Sequence, residues 1–207
     1  MREGHSLWGN ERMIRSFAAL RLSKVVTDEL DRCMTNLKSL DKKNEIRWVS
    51  SKNYHLTLCF FGDIDPNIVD SLKCNLSNRL AKIPVVNVVI SDVSFFPFSK
   101  NPRIVAGIVR ATNSLNTLKT TVDRVARNAD IPVEKRGFKP HVTLGRVKGR
   151  FRPKIKIASF PLDLNCDISE LTVFRSMLST KGAAYISLFD VPLMRADSLY
   201  VKPPITP

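Results

Sequence analysis

The sequence predicts an α+β fold of mostly antiparallel sheets with flanking helices. Three segments repeat apolar residues every three or four positions, as amphipathic helices do, and they cover 24–40, 65–80 and 115–129. Short apolar runs of strand-like composition lie between these segments. The strands and helices alternate without the regular rhythm of a parallel doubly wound sheet, and this favours antiparallel pairing.

The predicted helices have recognisable ends. Ser23 can cap the first helix, because its hydroxyl can accept from free backbone N–H groups. Asp65 and Pro66 open the second helix, with Asp at the cap and Pro in the first turn, and Pro84 ends it. The predicted strands are 14–22, 46–49, 55–61, 85–96, 103–109, 141–147, 171–174 and 185–191, the last two joined by a loop that contains Gly182.

The charge balance favours an anionic partner. The 207 residues include 33 Lys plus Arg against 19 Asp plus Glu, a formal net charge of +14. Nucleic acid is the commonest partner of such a chain, and solubility alone is the alternative. No apolar run is long enough to span a membrane. We expect one bilobal domain over residues 13–193, a loose extension over 1–12 and an irregular tail over 194–207.

The cysteines indicate a reducing compartment. Cys33, Cys59, Cys74 and Cys166 are scattered and form no C-x-x-C pair. Cys59 and Cys74 lie in apolar patterns and are predicted to be small buried side chains. The chain begins without a secretory signal, so we expect no disulfide framework and predict a cytoplasmic protein.

Two of the three histidines occur in the same tetrapeptide frame. These motifs are HLTL at 55–58 and HVTL at 141–144. Side chains alternate along a strand, so the His and Thr of each motif share one face while the intervening apolar residues point into a core. The repeat suggests two similar lobes that bring both His–Thr pairs to one cleft. Two structural histidines are the alternative, and the repeated frame disfavours it.

Two imidazoles and two hydroxyls suit chemistry at a phosphate. Paired histidines can take and give protons near neutral pH. Threonine hydroxyls can donate to the non-bridging oxygens of a phosphate, and the positive charge suits a polyanion. A metal site is disfavoured, because threonine is a poor ligand and neither a third histidine nor a cysteine flanks the motifs. We therefore predict hydrolysis or transfer at a phosphodiester without a metal or other cofactor.

With these motifs the chain resembles the 2H phosphoesterase superfamily, which is named for its two H-x-[ST]-x motifs. Within it, the nearest resemblance is to the RNA 2′,3′-cyclic phosphodiesterase family, historically called 2′-5′ RNA ligase. The resemblance extends over about residues 13–193, and the segments that carry it are 13–20, 46–49, 53–62, 138–146, 174–178 and 181–185.

The resemblance implies two α+β lobes related by a pseudo-two-fold axis, with the active site in the cleft between them. It implies that the protein opens a 2′,3′-cyclic phosphate at an RNA end and leaves a 2′-phosphate. His55 would be the proton donor to the leaving 3′ oxygen, and His141 would be the proton acceptor that activates water. The two motifs are nearly identical, so the sequence alone does not distinguish these roles.

The resemblance also implies the substrate-binding residues. Thr57 and Thr143 would hold the non-bridging oxygens, and Arg146 would supply positive charge near the phosphate. We expect no metal and no cofactor, an RNA substrate with a 2′,3′-cyclic phosphate end, no membrane association, and a monomer, because both half-sites lie in one chain.

Strict strand alternation conflicts with the expected place of Arg146. It directs this side chain away from His141, so either the strand bulges near Gly145 or the side chain wraps round the strand end. The same alternation places Cys59 and Gly145 beside the histidines, where small residues would leave room for a ribose. It also places Phe61 there, either stacking on a base or packing in the core.

Further contacts are less specific. Through the resemblance, Trp48 and Tyr185 are candidates for the cleft. The basic clusters at 135–136, 148–152 and 154–156 are predicted to contact an RNA backbone or to form a solvated face. His5, in the N-terminal extension, receives no role.

Other functions stay open at this point. The same residues would serve a phosphodiesterase for 2′,5′-linked oligonucleotides or small cyclic nucleotides, and joining of RNA ends through 2′,5′ linkages is the reverse type of chemistry. An RNA-binding module without turnover is a third hypothesis, although binding alone does not require two imidazoles.

Overall fold

The computed structural model describes residues 13–98, 101–149, 157, 160–179 and 182–194. The predicted N-terminal extension, nearly all of the tail and most of the basic stretch at 148–156 lie outside the described residues. The α-helices are α1 (Lys24–Leu40), α2 (Val69–Leu80) and α3 (Asn113–Asn128). The strands are β1 (Ile14–Arg21), β2 (Ile46–Trp48), β3 (His55–Ile64), β4 (Val86–Phe96), β5 (Ile104–Val109), β6 (His141–Val147), β7 (Phe160–Ile168), β8 (Glu170–Ser179) and β9 (Gly182–Pro192).

The strands form one sheet in the order β7-β4-β5-β6-β3-β1-β8-β9, with β2 paired to β6. Every ladder between these strands is antiparallel. The predicted α+β class with antiparallel pairing is therefore confirmed. We call β1, β3, β8 and β9 the first half of the sheet, and β4, β5, β6 and β7 the second half. The two halves meet where Leu56 of β3 lies opposite Val142 of β6.

The helices cover one face of the sheet and connect its halves. α1 follows β1 but contacts β7 of the second half, whereas α3 packs against α2, against β3 of the first half and against β4 of the second half. Ser23 caps α1 as predicted, accepting from the N–H of Val26 at 3.3 Å. The N–H of Ser23 donates to Sγ of Cys166 in β7 at 3.1 Å. These contacts join both halves of the sheet to one hydrophobic core, because fully buried residues of all three helices belong to that core.

The structure departs from the predictions at several points. The second predicted helix opens as a 3₁₀ turn over Pro66–Ile68, which Asp65 caps, and α2 itself begins at Val69. β7 was not predicted, because its sequence FPLDLNCDI interleaves apolar residues with Pro, Asp and Asn, which are poor strand formers. It is an edge strand, where a proline is tolerated. Gly182, expected in a loop, is the first residue of β9. Cys74, expected to be buried, is exposed on α2, whereas Cys59 is buried as predicted.

All four cysteines are free thiols. No helix in the described ranges is long and apolar enough to cross a membrane.

Candidate active site

The first histidine is anchored by the backbone just before it. A short 3₁₀ turn over Ser51–Asn53 leads into β3, and Nδ1 of His55 lies 2.7 Å from the carbonyl oxygen of Asn53. A carbonyl only accepts, so Nδ1 carries the proton and Nε2 is left for other chemistry. The amide of Asn53 donates to the carbonyl of Ala183 at 3.0 Å. This bond fastens the turn to the start of β9.

The second histidine repeats this arrangement. Nδ1 of His141 lies 2.8 Å from the carbonyl oxygen of Lys139, again two residues upstream. The backbone therefore selects the same Nδ1–H tautomer for both neutral rings. Each ring presents Nε2, the nitrogen that can take or give a proton at a substrate.

The sheet register brings both motifs to one face. Leu56 and Val142 lie opposite each other and are fully buried on the helix side. In an antiparallel register, the residues that flank this pair also lie opposite each other. His55 therefore lies across from Thr143, and His141 lies across from Thr57. We call the side of the sheet that bears these four residues the histidine face.

The two threonines are partly exposed on this face. Their cross-strand neighbours are alanines, Ala19 for Thr57 and Ala106 for Thr143, which leave the face open beside each hydroxyl. Within the described part of the chain, neither threonine hydroxyl has a hydrogen-bond partner. Both hydroxyls are therefore available to a ligand.

A β-bulge in each motif reverses the side-chain alternation. In β3, Thr57 pairs with Ala19 and Cys59 with Ala18, so Leu58 is the extra residue. In β6, the extra residue is Leu144, between the pairs Thr143–Ala106 and Gly145–Val105. Each bulge sets the residue three positions after the threonine on the histidine face.

In β6 the residue brought to the histidine face is Arg146, which is exposed. Its positive charge is near enough to His55 to lower the pKa of that ring. The conflict between strand alternation and the expected place of Arg146 is thus resolved by a bulge, one residue earlier than the predicted Gly145. Arg47 lies opposite Arg146 in the β2–β6 ladder, so it adds a second guanidinium on this face that the sequence did not reveal.

The bulge in β3 makes the predicted face of Cys59 and Phe61 wrong, while the alternative that Phe61 packs in the core is confirmed. In β3 the residue on the histidine face is Phe60, which is 62% exposed and lies opposite Phe17, with ring centroids 6.0 Å apart. Phe61 is in the core at 3% exposure, and Cys59 is buried on the helix side. Any stacking on a base in this strand therefore falls to Phe60.

Gly145 also serves a different purpose from the one predicted. A Cβ atom there would lie 2.6 Å from Cγ2 of Ile46 and 3.1 Å from Cε3 of Trp48. The glycine therefore lets β2 pack against β6 and does not open space for a ribose. Trp48, a cleft candidate from the resemblance, packs against the core instead.

The two histidines have different surroundings. His55 is half-buried among aromatic rings: centroids of Phe17 and Tyr185 lie 5.1 Å away, and that of Phe174 lies 6.1 Å away. Tyr185 is thus beside the site, as the resemblance implied. The ring of His141 stacks on Phe96 at 4.6 Å.

Burial lowers the pKa of His55 from 6.5 to about 4. The Asn53 carbonyl opposes this shift, whereas the positive charges of Arg146 and His141 lower the pKa further. The effect of His141 on the pKa of His55 shows that the two rings are electrostatic neighbours. An anion placed between these groups would offset each of the effects that disfavour the charged ring.

The described residues contain no group of three or more His, Cys, Asp and Glu side chains that could hold a metal ion.

Comparisons with known proteins show what the chain is similar to. The family model described as LigT like Phosphoesterase matches residues 20–106, which include the first motif. A protein of Aquifex aeolicus named RNA 2′,3′-cyclic phosphodiesterase is 28% identical over 184 residues, covering 84% of this chain and 94% of that protein. One of Methanothermobacter thermautotrophicus with the same name is 27% identical, covering 84% and 96%.

Solved structures show the same fold. TT0787 of Thermus thermophilus superposes with a TM-score of 0.75 at 23% identity, covering 88% of this chain and all of the other. E. coli LigT complexed with 3′-AMP superposes with a TM-score of 0.73 at 20% identity, covering 87% and 98%. The family model and the relatives show that the chain is similar to LigT-like phosphoesterases, and the solved structures show that it shares their fold.

Proposed function

We propose that this protein hydrolyses 2′,3′-cyclic phosphates at RNA ends to 2′-phosphates, by acid–base catalysis with two histidines and without a metal or other cofactor. One observation carries the proposal: two carbonyl-anchored imidazoles share a face with two threonine hydroxyls that have no partner among the described residues. The relatives named RNA 2′,3′-cyclic phosphodiesterase support the choice of substrate.

In the proposed reaction the cyclic phosphate lies between the two rings. Nε2 of His141 takes a proton from water as the water oxygen bonds to phosphorus. The bond from phosphorus to the 3′ oxygen breaks, and the protonated Nε2 of His55 gives its proton to that oxygen. The product carries a 2′-phosphate and a 3′-hydroxyl. Exchange with solvent then returns both histidines to their starting protonation states.

The other site residues stabilise the charge of the reacting phosphate. Thr57 and Thr143 donate hydrogen bonds to the non-bridging oxygens, and each threonine lies across from the histidine of the other motif. Arg146 supplies the positive charge. The bound anion raises the pKa of His55 above its low value in the empty site, because it opposes the effects of burial and of Arg146. Substrate binding thereby prepares His55 to act as the acid.

The test is turnover of a short RNA that ends in a 2′,3′-cyclic phosphate, with EDTA present. We expect the wild type to form the 2′-phosphate, and His55→Gln and His141→Gln each to lose about 10²–10⁴-fold in rate. A matched control is Lys24→Gln, since Lys24 lies on the surface of α1 in an exposed ion pair with Asp28. Loss of wild-type activity in EDTA, or full activity of either histidine variant, would contradict the mechanism.

We propose that the same site joins RNA ends as a side activity. If the 5′-hydroxyl of a second RNA replaces water, His141 takes its proton as its oxygen bonds to phosphorus. The bond from phosphorus to the 3′ oxygen breaks, His55 gives a proton to that oxygen, and a 2′,5′ linkage remains. The side of the site beside His141 offers Phe96 and the 71% exposed Phe98, whose rings lie 5.9 Å apart, as a surface for a second nucleotide. Incubation with two RNA ends, followed by sequencing of the linkage, tests this activity.

Each chain carries both histidines, so we propose that the monomer is the active form, which light scattering under the conditions of the turnover assay would check. The free thiols support the proposed cytoplasmic location.

A further inference from the structure

A third arginine of the histidine face lies in β1, the strand next to that of His55. Arg21, the last residue of β1, is the cross-strand partner of His55, so both side chains belong to the histidine face. Its side chain is 46% exposed. No motif in the sequence points to Arg21, and the proposed hydrolysis of the cyclic phosphate does not use it.

A built network holds the guanidinium in place. Nε of Arg21 donates to Oγ1 of Thr172 at 2.9 Å, and this threonine is completely buried. Oγ1 of Thr172 donates in turn to Oδ1 of Asp190 at 2.6 Å, and Nη2 of Arg21 lies 3.6 Å from the same carboxylate oxygen. The guanidinium carbon lies 4.9 Å from the ring centroid of Phe174. These contacts therefore fix a side chain that would otherwise be free to rotate.

This fixation leaves donors for a ligand. A guanidinium has five N–H groups in a planar fork, and the network engages only Nε and Nη2. The remaining donors belong to a group that is about half exposed. A planar fork matches the oxygens of a phosphate, and an arginine that is already ordered loses little entropy when it binds one.

The two halves of the site differ at this position. His55 has Arg21 as its cross-strand neighbour in β1, whereas His141 has Ile108 as its neighbour in β5. Arg146 serves the reacting phosphate from the second half. Among the described residues, an arginine held by a hydrogen bond is therefore the direct cross-strand neighbour of His55 but not of His141, so a bound RNA would meet the two halves differently.

We infer that Arg21 binds the backbone phosphate on the 5′ side of the terminal nucleotide. This inference rests on the proposed function. It implies that the preferred substrates of the protein are oligonucleotides rather than mononucleotides. His55 gives its proton to the 3′ oxygen, so the terminal ribose must lie on the His55 side of phosphorus. The chain leaves that ribose through its 5′ oxygen, and the next anion along it is a backbone phosphate. Among the residues that the structure describes, Arg21 is a cation held in place on that side.

The experiment compares two substrates that differ by this phosphate. One is a dinucleotide ending in a 2′,3′-cyclic phosphate, and the other is the corresponding nucleoside 2′,3′-cyclic phosphate. We expect the wild type to have the higher kcat/KM on the dinucleotide. Arg21→Met should lower that value by about tenfold or more, as expected for loss of a charge-assisted hydrogen bond, and change the mononucleotide value by less than about twofold. Arg21→Lys, which keeps the charge, should retain part of the preference.

Arg110 provides the matched control. It is also a strand-end arginine, and its Nη2 lies 3.7 Å from a carboxylate oxygen of Asp163, at 60% exposure. Arg110→Met should leave both substrates unchanged. An equal loss on both substrates in Arg21→Met would show that Arg21 only supports the fold or His55, and no loss on either would show that it does not contact RNA. Both results would overturn the inference.

Binding of the product separates this inference from the proposed function. A dinucleotide ending in a 2′-phosphate should bind the wild type about tenfold more tightly than the nucleoside 2′-phosphate, and Arg21→Met should remove the difference. The salt dependence of dinucleotide binding should also weaken, by about 0.7 in log–log slope for a single strand. If the wild type hydrolyses neither cyclic phosphate, the proposed function fails while the binding comparison still decides the role of Arg21. Equal binding of the two products by the wild type would overturn the inference.

Discussion

The low pKa of His55 predicts a specific dependence of stability on pH. In the folded protein the ring titrates with a pKa of about 4, whereas an unfolded chain returns it to about 6.5. Between these values the folded ring is neutral while the unfolded one takes up a proton. The unfolded state therefore binds more protons, and the free energy of unfolding falls as the pH drops from 6.5 towards 4. Above pH 6.5 both states are neutral and His55 has no effect.

The size of the effect follows from the interval between the two pKa values. At about 1.36 kcal/mol per pH unit, the interval from 6.5 to about 4 corresponds to about 3 kcal/mol. Most of this loss should be complete at pH 4.5, so we expect about 2 to 3 kcal/mol between pH 7.5 and 4.5. A loss of that size is a large part of the stability of an ordinary domain.

Urea unfolding at pH 7.5, 5.5 and 4.5 measures this effect when the wild type is compared with His55→Gln. All other side chains are the same in both proteins, so the difference between the two proteins isolates His55. We expect the wild type to lose about 2 to 3 kcal/mol more than the variant on acidification. The burial argument would be refuted if the free energy of unfolding of both proteins depended on pH in the same way. It would also be refuted if NMR titration gave His55 a pKa near 6.5 in the folded wild type without ligand.

Three further predictions concern the site. Thr57→Val and Thr143→Val should each lower kcat by about 10²–10³-fold. Thermal unfolding should stay unchanged, because neither hydroxyl has a partner in the described structure. A loss of stability without a loss of kcat would contradict this prediction. Arg146→Met should lower kcat/KM and raise the pKa of His55, because the positive charge of Arg146 lowers this pKa. NMR titration of the His55 ring checks the direction, and a lower pKa in the variant would contradict the prediction. Gly145→Ala should reduce the free energy of unfolding by about 1–3 kcal/mol in urea, because its Cβ would lie 2.6 Å from Ile46; an unchanged midpoint would show that β2 yields easily.

Periodicity predicted most of the fold. α1 was predicted with its observed boundaries, and β6 likewise, because each contains a clear repeat with a cap or a loop at its ends. β7 was missed because it satisfies strand pairing at a sheet edge with residues of low strand propensity. Cys74 was misassigned because it lies between Leu72 and Leu76 in sequence, whereas the helical turn carries it to the outer side of α2.

The site shows where a strand pattern stops being informative. Strict alternation predicts the face of every residue up to the threonine of each motif, and it fails after the bulges at Leu58 and Leu144. No residue type in HLTL or HVTL marks a bulge, so strict alternation placed Phe61 on the histidine face, where the structure has Phe60. Arg21 escaped notice for a different reason: its neighbours in space, Thr172 and Asp190, are distant in sequence.

The central claim is that His55 acts as the general acid and His141 as the general base. A substrate with sulfur in place of the 3′ bridging oxygen tests this claim directly. A thiolate leaves without a proton, so it has no need of the general acid, while activation of water is still required. We predict that His55→Gln hydrolyses this substrate at close to the wild-type rate, whereas His141→Gln stays impaired by about 10²–10⁴-fold. Rescue of His141→Gln with continued impairment of His55→Gln would contradict the assignment and reverse the two roles.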